Sequence, residues 1–270
     1  MAVGTGDVVI SAEQVRAELE AERPVVILAV RREGEADERR LPGAVPVSLT
    51  RDLVGEKTKH SGNHPLPTDE QVQDAVQRWG IDTDSLVVVY STENPALASR
   101  VWWTLRWAGV PDVRYLDGGL EAWEAAGGEL SSAAPVERSG TFTVTTGSLP
   151  VLDTEQAGEL ARSGVLFDAR GADAYAGEPQ GGHIPGAISV AASRNLDPDG
   201  RLASSETLRE LYAQVNADTP VGAYCGGGTA ATLDVLALAR LGITAALYPG
   251  SFSAWTSDPA RPVVTGVQPE

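Results

Sequence analysis

The chain has 270 residues, of which 42% are hydrophobic and 21% charged, and its formal net charge is −16 at pH 7. This is the composition of an ordinary globular protein, and the length predicts two domains. The negative charge argues against nucleic acid or an anionic membrane as a partner. One cysteine and three histidines exclude an intramolecular disulfide and are too few and too scattered to predict a metal site.

The chain contains one alternating pattern of strands and helices twice. In the first half, the apolar runs 24–32 and 85–90 predict buried strands, and the second run leads into a predicted helix at 96–109. The matching elements of the second half are, in the same order, 164–170, 220–225 and 230–242.

The spacing of matching residues indicates a duplication. Trp123 in the first half corresponds to Trp255 in the second, and Tyr90 corresponds to Tyr224, at nearly equal separations along the chain. Short apolar strands that alternate with helices favour parallel pairing. We therefore predict an α/β fold of two tandem domains, each a mainly parallel sheet flanked by helices. The predicted boundaries are 8–130 for the first domain, 131–149 for a polar linker that bears Pro and Gly, and 150–268 for the second domain.

The only cysteine lies where a predicted strand turns into a helix. Glycines after a strand let backbone N–H groups face an anion, and a helix N-terminus adds partial positive charge. A thiol placed there is favoured as the reactive thiolate, so we predict that Cys225 is a nucleophile. The competing interpretation is a cysteine that merely packs at a strand end beside a tight turn. The loop residues that follow the cysteine are Gly226, Gly227, Gly228, Thr229 and Ala230.

Several motifs resemble the rhodanese superfamily. The loop 224–232 resembles its active-site loop, 167–190 resembles its Asp-x-Arg and Gly-His-Ile-Pro-Gly-Ala signature, and 248–255 resembles its C-terminal signature. The resemblance runs from about residue 8 to about residue 266. Segments of the first half that are similar to the non-catalytic domain of tandem thiosulfate and mercaptopyruvate sulfurtransferases are 62–67, 100–106 and 116–123.

The resemblance implies two rhodanese folds, the second active and the first not. It implies a ping-pong sulfur transfer through a persulfide on Cys225, from an anionic donor (thiosulfate or 3-mercaptopyruvate) to cyanide or a thiol. A thioredoxin-like protein would be one such thiol acceptor. No organic cofactor and no metal is implied. The N-terminus lacks the pattern of a signal peptide and no apolar run suits a membrane span, so we expect a cytoplasmic protein without a membrane partner.

Residues outside the loop are candidates for supporting roles. Asp168 and Arg170 would form an ion pair that positions the loop, or Arg170 would lend positive potential to the site. His183 would be a general acid or base, or part of the scaffold, which we favour. Thr229 would hydrogen-bond the sulfur, cap the helix that starts near Ala230, or do both.

The loop departs from the family's pattern at the positions that hold the donor. Thiosulfate-specific relatives carry an Arg and a Lys where this chain has Gly226 and Gly227. Mercaptopyruvate-type relatives carry a substrate arginine where Ala174 stands, and an assisting histidine where Arg40 stands. Charge-assisted hydrogen bonds to the donor are thereby lost. Cations that would compensate are Arg40, Arg194, Lys57 and Lys59.

Two alternatives to a sulfurtransferase remain. A related phosphatase or arsenate reductase needs the pattern Cys-x5-Arg to hold its oxyanion, whereas position 231 is Ala. A non-enzymatic binding or sulfur-carrier module would fit the loss of the substrate arginines, but the retained Cys225 and its glycines oppose it. The first half has no cysteine in the equivalent loop, 90–95, and therefore lacks the nucleophile of a covalent intermediate.

Overall fold

A computed structural model describes residues 7–31, 39–178, 181–216 and 218–269. The chain divides into two compact units, with the boundary after Ser148; two short segments group with the opposite unit. Gly55–Leu66 group with the second unit, although the predicted boundaries place them in the first domain, and Pro198–Arg201 group with the first. Among the helices of the described ranges, none combines the length and apolar character that a membrane span requires.

The described part of the first unit contains a parallel sheet with the strand order β1-β5-β4-β2-β3. Its strands are β1 (Val9–Ile10), β2 (Val25–Arg31), β3 (Val45–Ser48), β4 (Leu86–Ser91) and β5 (Asp112–Leu116). Its helices are α1 (Ala12–Glu20), α2 (Leu49–Asp52), α3 (Asp69–Arg78), α4 (Pro95–Trp107) and α5 (Gly119–Ala125). The central strands β2 and β4 are buried along almost their whole length, which explains why they read as continuous apolar runs.

The second unit repeats this order as β7-β6-β8-β9, and a parallel bridge from Val151 to Leu247 takes the place of β1. Its strands are β6 (Val165–Asp168), β7 (Ile188–Ser189), β8 (Val221–Tyr224) and β9 (Ala246–Leu247). Its helices are α6 (Thr154–Ser163), α7 (Ala172–Ala176), a 3₁₀ helix (Ala192–Asn195), α8 (Ser205–Leu211), α9 (Ala231–Arg240) and α10 (Ser251–Trp255). The predicted α/β class and the duplication are confirmed.

The helix that follows β4 starts as its sequence predicts, and the helices that follow β4 and β8 both end as their sequences predict. Pro95 occupies the first turn of α4, where its missing N–H costs nothing. Gly109 and Gly242 follow the two helices with φ of +88° and +79°, the left-handed conformation that ends a helix. Both helices therefore have a defined end, and the start of α9 lies shortly after Cys225.

The segment predicted as a linker, 131–149, is held against the first unit by backbone hydrogen bonds. Gly140 donates its N–H to the Gln77 carbonyl at 2.8 Å, and Phe142 donates to Ile81 at 3.0 Å. Phe142 is also buried. The chain therefore follows the surface of the first unit up to Ser148 before the second sheet begins.

Candidate active site

The thiol of Cys225 lies at the carboxyl end of β8, where open parallel sheets place their ligand sites. The residue is 3% exposed. The backbone N–H of Gly228 donates to its Sγ at 3.1 Å. Helix α9 begins shortly afterwards at Ala231, and no side chain caps its N-terminus. A loop N–H group and the nearby end of a helix thus face the sulfur, which is the arrangement found at anion-binding sites.

Two of the three loop glycines are required by space. A Cβ on Gly228 would lie 2.3 Å from the Pro249 carbonyl oxygen, and φ there is +89°. A Cβ on Gly227 would lie 2.8 Å from the Cβ of Asn63. At Gly226, by contrast, the nearest atom is the Cδ of Arg170 at 4.0 Å, an ordinary contact. The close approach of the loop to its surroundings therefore depends on Gly227 and Gly228.

Ser251, which sequence reasoning missed, supports the cysteine from the start of α10. Its hydroxyl accepts a hydrogen bond from the Cys225 N–H at 3.1 Å, donates to the Tyr248 carbonyl at 3.0 Å, and lies 3.9 Å from Sγ. The residue is fully buried with a φ of +54°, a conformation that strains an L-residue. Gly119, its counterpart in the first half of the repeat, has the same φ. The difference between the two halves at this position, serine in the second and glycine in the first, is the sequence signal that could have identified Ser251.

Asp168, Arg170 and Tyr224 form a hydrogen-bonded network at the carboxyl ends of β6 and β8, in which Asp168 and Tyr224 are buried. Arg170 donates to Asp168 from Nε at 2.9 Å, and the Tyr224 hydroxyl donates to the same carboxylate at 2.6 Å. Burial alone would lower the pKa of Arg170, but its hydrogen bond to Asp168 and the charge of that residue outweigh burial and raise the pKa. Burial raises the pKa of Tyr224 well above its usual value, so the hydroxyl stays a donor.

This network reaches the cysteine through α10. The guanidinium carbon of Arg170 lies 3.9 Å from the centre of the Phe252 ring, a cation–π contact. The N–H of Phe252 donates to the Cys225 carbonyl at 2.9 Å. Asp168 therefore fixes Arg170, and Arg170 packs against the residue that holds the cysteine backbone.

For three other candidates, the described hydrogen bonds involve groups outside the loop. His183 is buried and stacks on Tyr175, with ring centres 3.8 Å apart, and its Nδ1 lies 3.0 Å from the Tyr175 carbonyl oxygen. Arg194 is exposed on the 3₁₀ helix. Arg40 belongs to the first unit, where it donates to the Ala133 carbonyl at 2.9 Å. The described hydrogen bonds of these side chains thus do not bring them to the sulfur, and their functional roles stay predictions.

The predicted N-cap role of Thr229 is wrong. The N-cap of α9 is Ala230, because the helix begins at Ala231, so the Thr229 hydroxyl does not take up that position. Its Oγ1 lies instead 3.4 Å from Nδ1 of His64.

The segment Gly55–Leu66, which the predicted boundaries assign to the first domain, contacts the glycine loop of the second unit. Nδ1 of His64 lies 2.9 Å from the Gly227 carbonyl oxygen, and the side chain is half-buried. Lys57, a candidate cation, donates to the Asn63 side chain at 2.9 Å. The motif 62–67 was noticed, but nothing in the linear sequence shows which unit it packs against.

A family model described as a rhodanese-like domain matches residues 11–126 and again residues 153–258. The chain therefore belongs to the rhodanese-like domain family. The SseB protein of Mycobacterium tuberculosis, provisionally named a thiosulfate sulfurtransferase, is 40% identical over 97% of this chain and 98% of its own. A Pseudomonas aeruginosa protein, provisionally named a 3-mercaptopyruvate sulfurtransferase, is 40% identical over 85% of each chain.

The fold also matches solved structures. An anaerobic ergothioneine biosynthesis enzyme from Chlorobium limicola superimposes with a TM-score of 0.86 over 97% of this chain and 71% of its own, at 20% identity. At that identity the likeness concerns the fold alone.

Within the described residues, no group of three or more His, Cys, Asp or Glu side chains is arranged to hold a metal ion.

Proposed function

We propose that this protein is a sulfurtransferase that carries a sulfane sulfur on Cys225, from thiosulfate or 3-mercaptopyruvate to cyanide or a thiol. The observation that carries the proposal is the 3.1 Å hydrogen bond from the Gly228 N–H to Sγ, in a loop that leads into an uncapped helix. Relatives at 40% identity named for both donors support it.

The reaction proceeds in two displacements. The thiolate of Cys225 attacks the outer sulfur of thiosulfate; the S–S bond of the donor breaks, and sulfite leaves with the bonding electron pair. With 3-mercaptopyruvate the thiolate attacks the mercapto sulfur; the C–S bond breaks, its electron pair stays on the carbon, and the carbon takes up a proton to give pyruvate. Cyanide or a thiolate then attacks the outer sulfur of the persulfide and returns the cysteine thiolate. The loop N–H groups stabilise the anionic sulfur in both halves of the cycle.

The remaining candidate residues have supporting roles in this proposal. Asp168 and Arg170 position the loop, and His183 belongs to the scaffold. Among the candidate cations, Lys57 supplies positive potential in place of the family's missing donor clamps, because it donates to Asn63, which lies beside Gly227. The first unit, predicted to span 8–130, is non-catalytic because its equivalent loop has no cysteine.

The cellular setting follows from the thiol. A free nucleophilic cysteine requires a reducing compartment, for which we propose the cytoplasm. A thioredoxin-like protein, whose own thiol would attack the persulfide, is the proposed physiological acceptor.

The test is the steady-state transfer of sulfur to cyanide from each donor. We expect thiocyanate from the native protein and none above background from Cys225→Ser. Arg261→Gln is a matched control, since this residue pairs with Glu155 and Asp258 rather than with the loop. Transfer by Cys225→Ser at the native rate would refute the role of Cys225. No transfer with either donor, from a protein whose thiol reacts with iodoacetamide, would favour the binding-module alternative.

A further inference from the structure

The peptide unit that joins Gly227 to Gly228 is hydrogen-bonded at both ends. Its N–H, on Gly228, donates to Sγ of Cys225 at 3.1 Å. Its carbonyl oxygen, on Gly227, lies 2.9 Å from Nδ1 of His64. A carbonyl oxygen only accepts, so Nδ1 of His64 carries the hydrogen. Because the C=O and N–H of a trans peptide point in opposite directions, one orientation of this plane satisfies both bonds.

The orientation of this plane matters for the charge of the sulfur. Glycine stands on both sides of the plane, and glycine permits the widest range of backbone angles. Rotation of the plane by half a turn would direct the Gly227 carbonyl oxygen toward the sulfur. An oxygen lone pair facing a thiolate is repulsive, so the orientation of this one peptide decides whether it favours or opposes the anion.

The segment that supplies the histidine contacts both the glycine loop and the start of α10. A Cβ on Gly227 would lie 3.3 Å from Nδ1 of His64, and a Cβ on Gly62 would lie 2.3 Å from the Gly250 carbonyl oxygen. The Asn63 N–H donates to the Ser253 hydroxyl at 3.1 Å. These contacts leave little free space between the segment and its neighbours, so they fix the distance between His64 and the glycine loop.

We infer that His64 is a positioning residue: by donating to the Gly227 carbonyl, it holds the Gly227–Gly228 peptide with its N–H directed at the sulfur of Cys225. The same bond polarises the peptide, which strengthens the N–H as a donor. The inference deepens the proposed function and rests on it for the persulfide, but its effect on the thiolate precedes any sulfur transfer. The neutral ring suffices, since the donated hydrogen is present in both protonation states of the imidazole.

The test uses alkylation of Cys225, the only cysteine, by iodoacetamide. The ratio of the rate at pH 6 to the rate at pH 10 reports how strongly the protein favours the thiolate. In His64→Ala we expect this ratio to fall about tenfold, the effect of weakening one hydrogen bond to a charged group. In His64→Asn, whose side-chain amide nitrogen falls near the position of Nδ1, we expect recovery to within about threefold of the native ratio.

The matched control is His60→Ala. His60 lies in the same segment, but its Nδ1 contacts the Ser257 hydroxyl at 3.0 Å, so we expect the native ratio. A native ratio in folded His64→Ala, or an equal loss in His64→Asn, would overturn the inference. Should His64→Ala fail to fold, His64→Gln replaces it, because the glutamine amide reaches the Nε2 position; equal ratios in the Asn and Gln variants would overturn the inference.

Alkylation needs no sulfur donor, so the two proposals fail separately. If the His64 variants show the predicted alkylation ratios but the native protein transfers no sulfur, the proposed function is refuted and the role of His64 is supported. If the native protein transfers sulfur but the alkylation ratio is the same in the His64 variants, the role of His64 is refuted and the proposed function is supported.

Discussion

The loops after β4 and β8 occupy the same place in the two units but satisfy their N–H groups differently. Ser91 follows Tyr90 as Cys225 follows Tyr224, and its hydroxyl accepts the N–H of Asn94 at 3.3 Å, as Sγ accepts the N–H of Gly228. In the first unit, the Asn94 side chain then caps α4 through the Ala96 N–H at 2.9 Å. Helix α9 has no such cap.

This difference indicates which of the two loops is suited to bind an anion. The strand, the turn and the helix are common to both units, so the fold alone does not create the site. In the first unit, side chains of the loop itself occupy its donors. In the second unit, glycines replace those side chains, and a sulfur atom takes the position of the serine hydroxyl.

The residues at the strand ends that precede the two loops also differ between the units. In both units a tyrosine at the end of the strand accepts a backbone N–H at 3.1 Å, Tyr90 from Leu41 and Tyr224 from Ile184. Across the sheet, Tyr224 is paired with Asp168, whereas Tyr90 is paired with Ala29. The two units therefore share the tyrosine contact, whereas in the second unit the strand neighbour of the tyrosine carries a carboxylate, which anchors Arg170.

The largest expected effect on sulfur transfer comes from adding a side chain to the glycine loop after β8. Gly228→Ala places a Cβ 2.3 Å from the Pro249 carbonyl oxygen at a φ of +89°, so the N–H that faces the sulfur must move. We expect the rate of sulfur transfer to fall at least about 100-fold, as when one donor to a developing anion is lost. Thiocyanate formation measures it.

The control is Gly242→Ala, which has a similar φ of +79° but no heavy atom within 4 Å of the added Cβ. It should lose stability from backbone strain while keeping the native rate. A Gly228→Ala variant that is as active as Gly242→Ala would show that the loop geometry does not matter.

A smaller effect is expected when Ser251 is changed to the residue of the first unit. Ser251→Gly relieves the strain of a φ of +54° but removes the hydroxyl that holds the Cys225 N–H. We expect about a tenfold slower persulfide formation without a loss of thermal stability. Ser251→Ala lacks the hydroxyl and keeps the strain, so it should be equally slow and less stable than Ser251→Gly. If Ser251→Gly instead forms the persulfide at the native rate, the serine has no part in positioning the cysteine.

The smallest effect concerns stability and pH. Asp234 is the counterpart of Arg100 in the repeat, and both are fully buried in the helices behind their loops. Burial raises the pKa of Asp234 well above its usual value, so the folded protein holds this proton more tightly than the unfolded chain does. The free energy of unfolding therefore falls as pH rises above the ordinary range of an aspartate.

Asp234→Asn cannot titrate, and the amide oxygen still accepts the hydrogen bond that Asn195 donates at 2.7 Å. Relative to the native protein, we expect the variant to gain a few degrees of melting temperature between pH 5 and pH 8. Melting curves at both pH values give the answer. A difference in melting temperature that is constant with pH would mean that Asp234 does not hold a proton in the folded state.

Much of the fold and the centre of the site could be predicted because their signals are local. Strand 220–225, the glycine loop and the helix after it are contiguous, and the repeat makes each half a check on the other. His64 and Ser251 were missed because their roles depend on tertiary contacts between segments that are separate in the sequence. The N-cap prediction for Thr229 failed because the start of the helix lies beyond it.

The measurement that tests the central claim most directly is intact mass after incubation with thiosulfate or 3-mercaptopyruvate. Three proteins are compared: the native protein, Cys225→Ser, and Cys225→Ser combined with Ser91→Cys, which moves the thiol to the equivalent loop of the first unit. We predict a gain of one sulfur, about 32 Da, on the native protein alone. A sulfur gained by the double variant as readily as by the native protein would contradict the claim that the loop after β8, rather than a thiol at a strand end, makes the persulfide site.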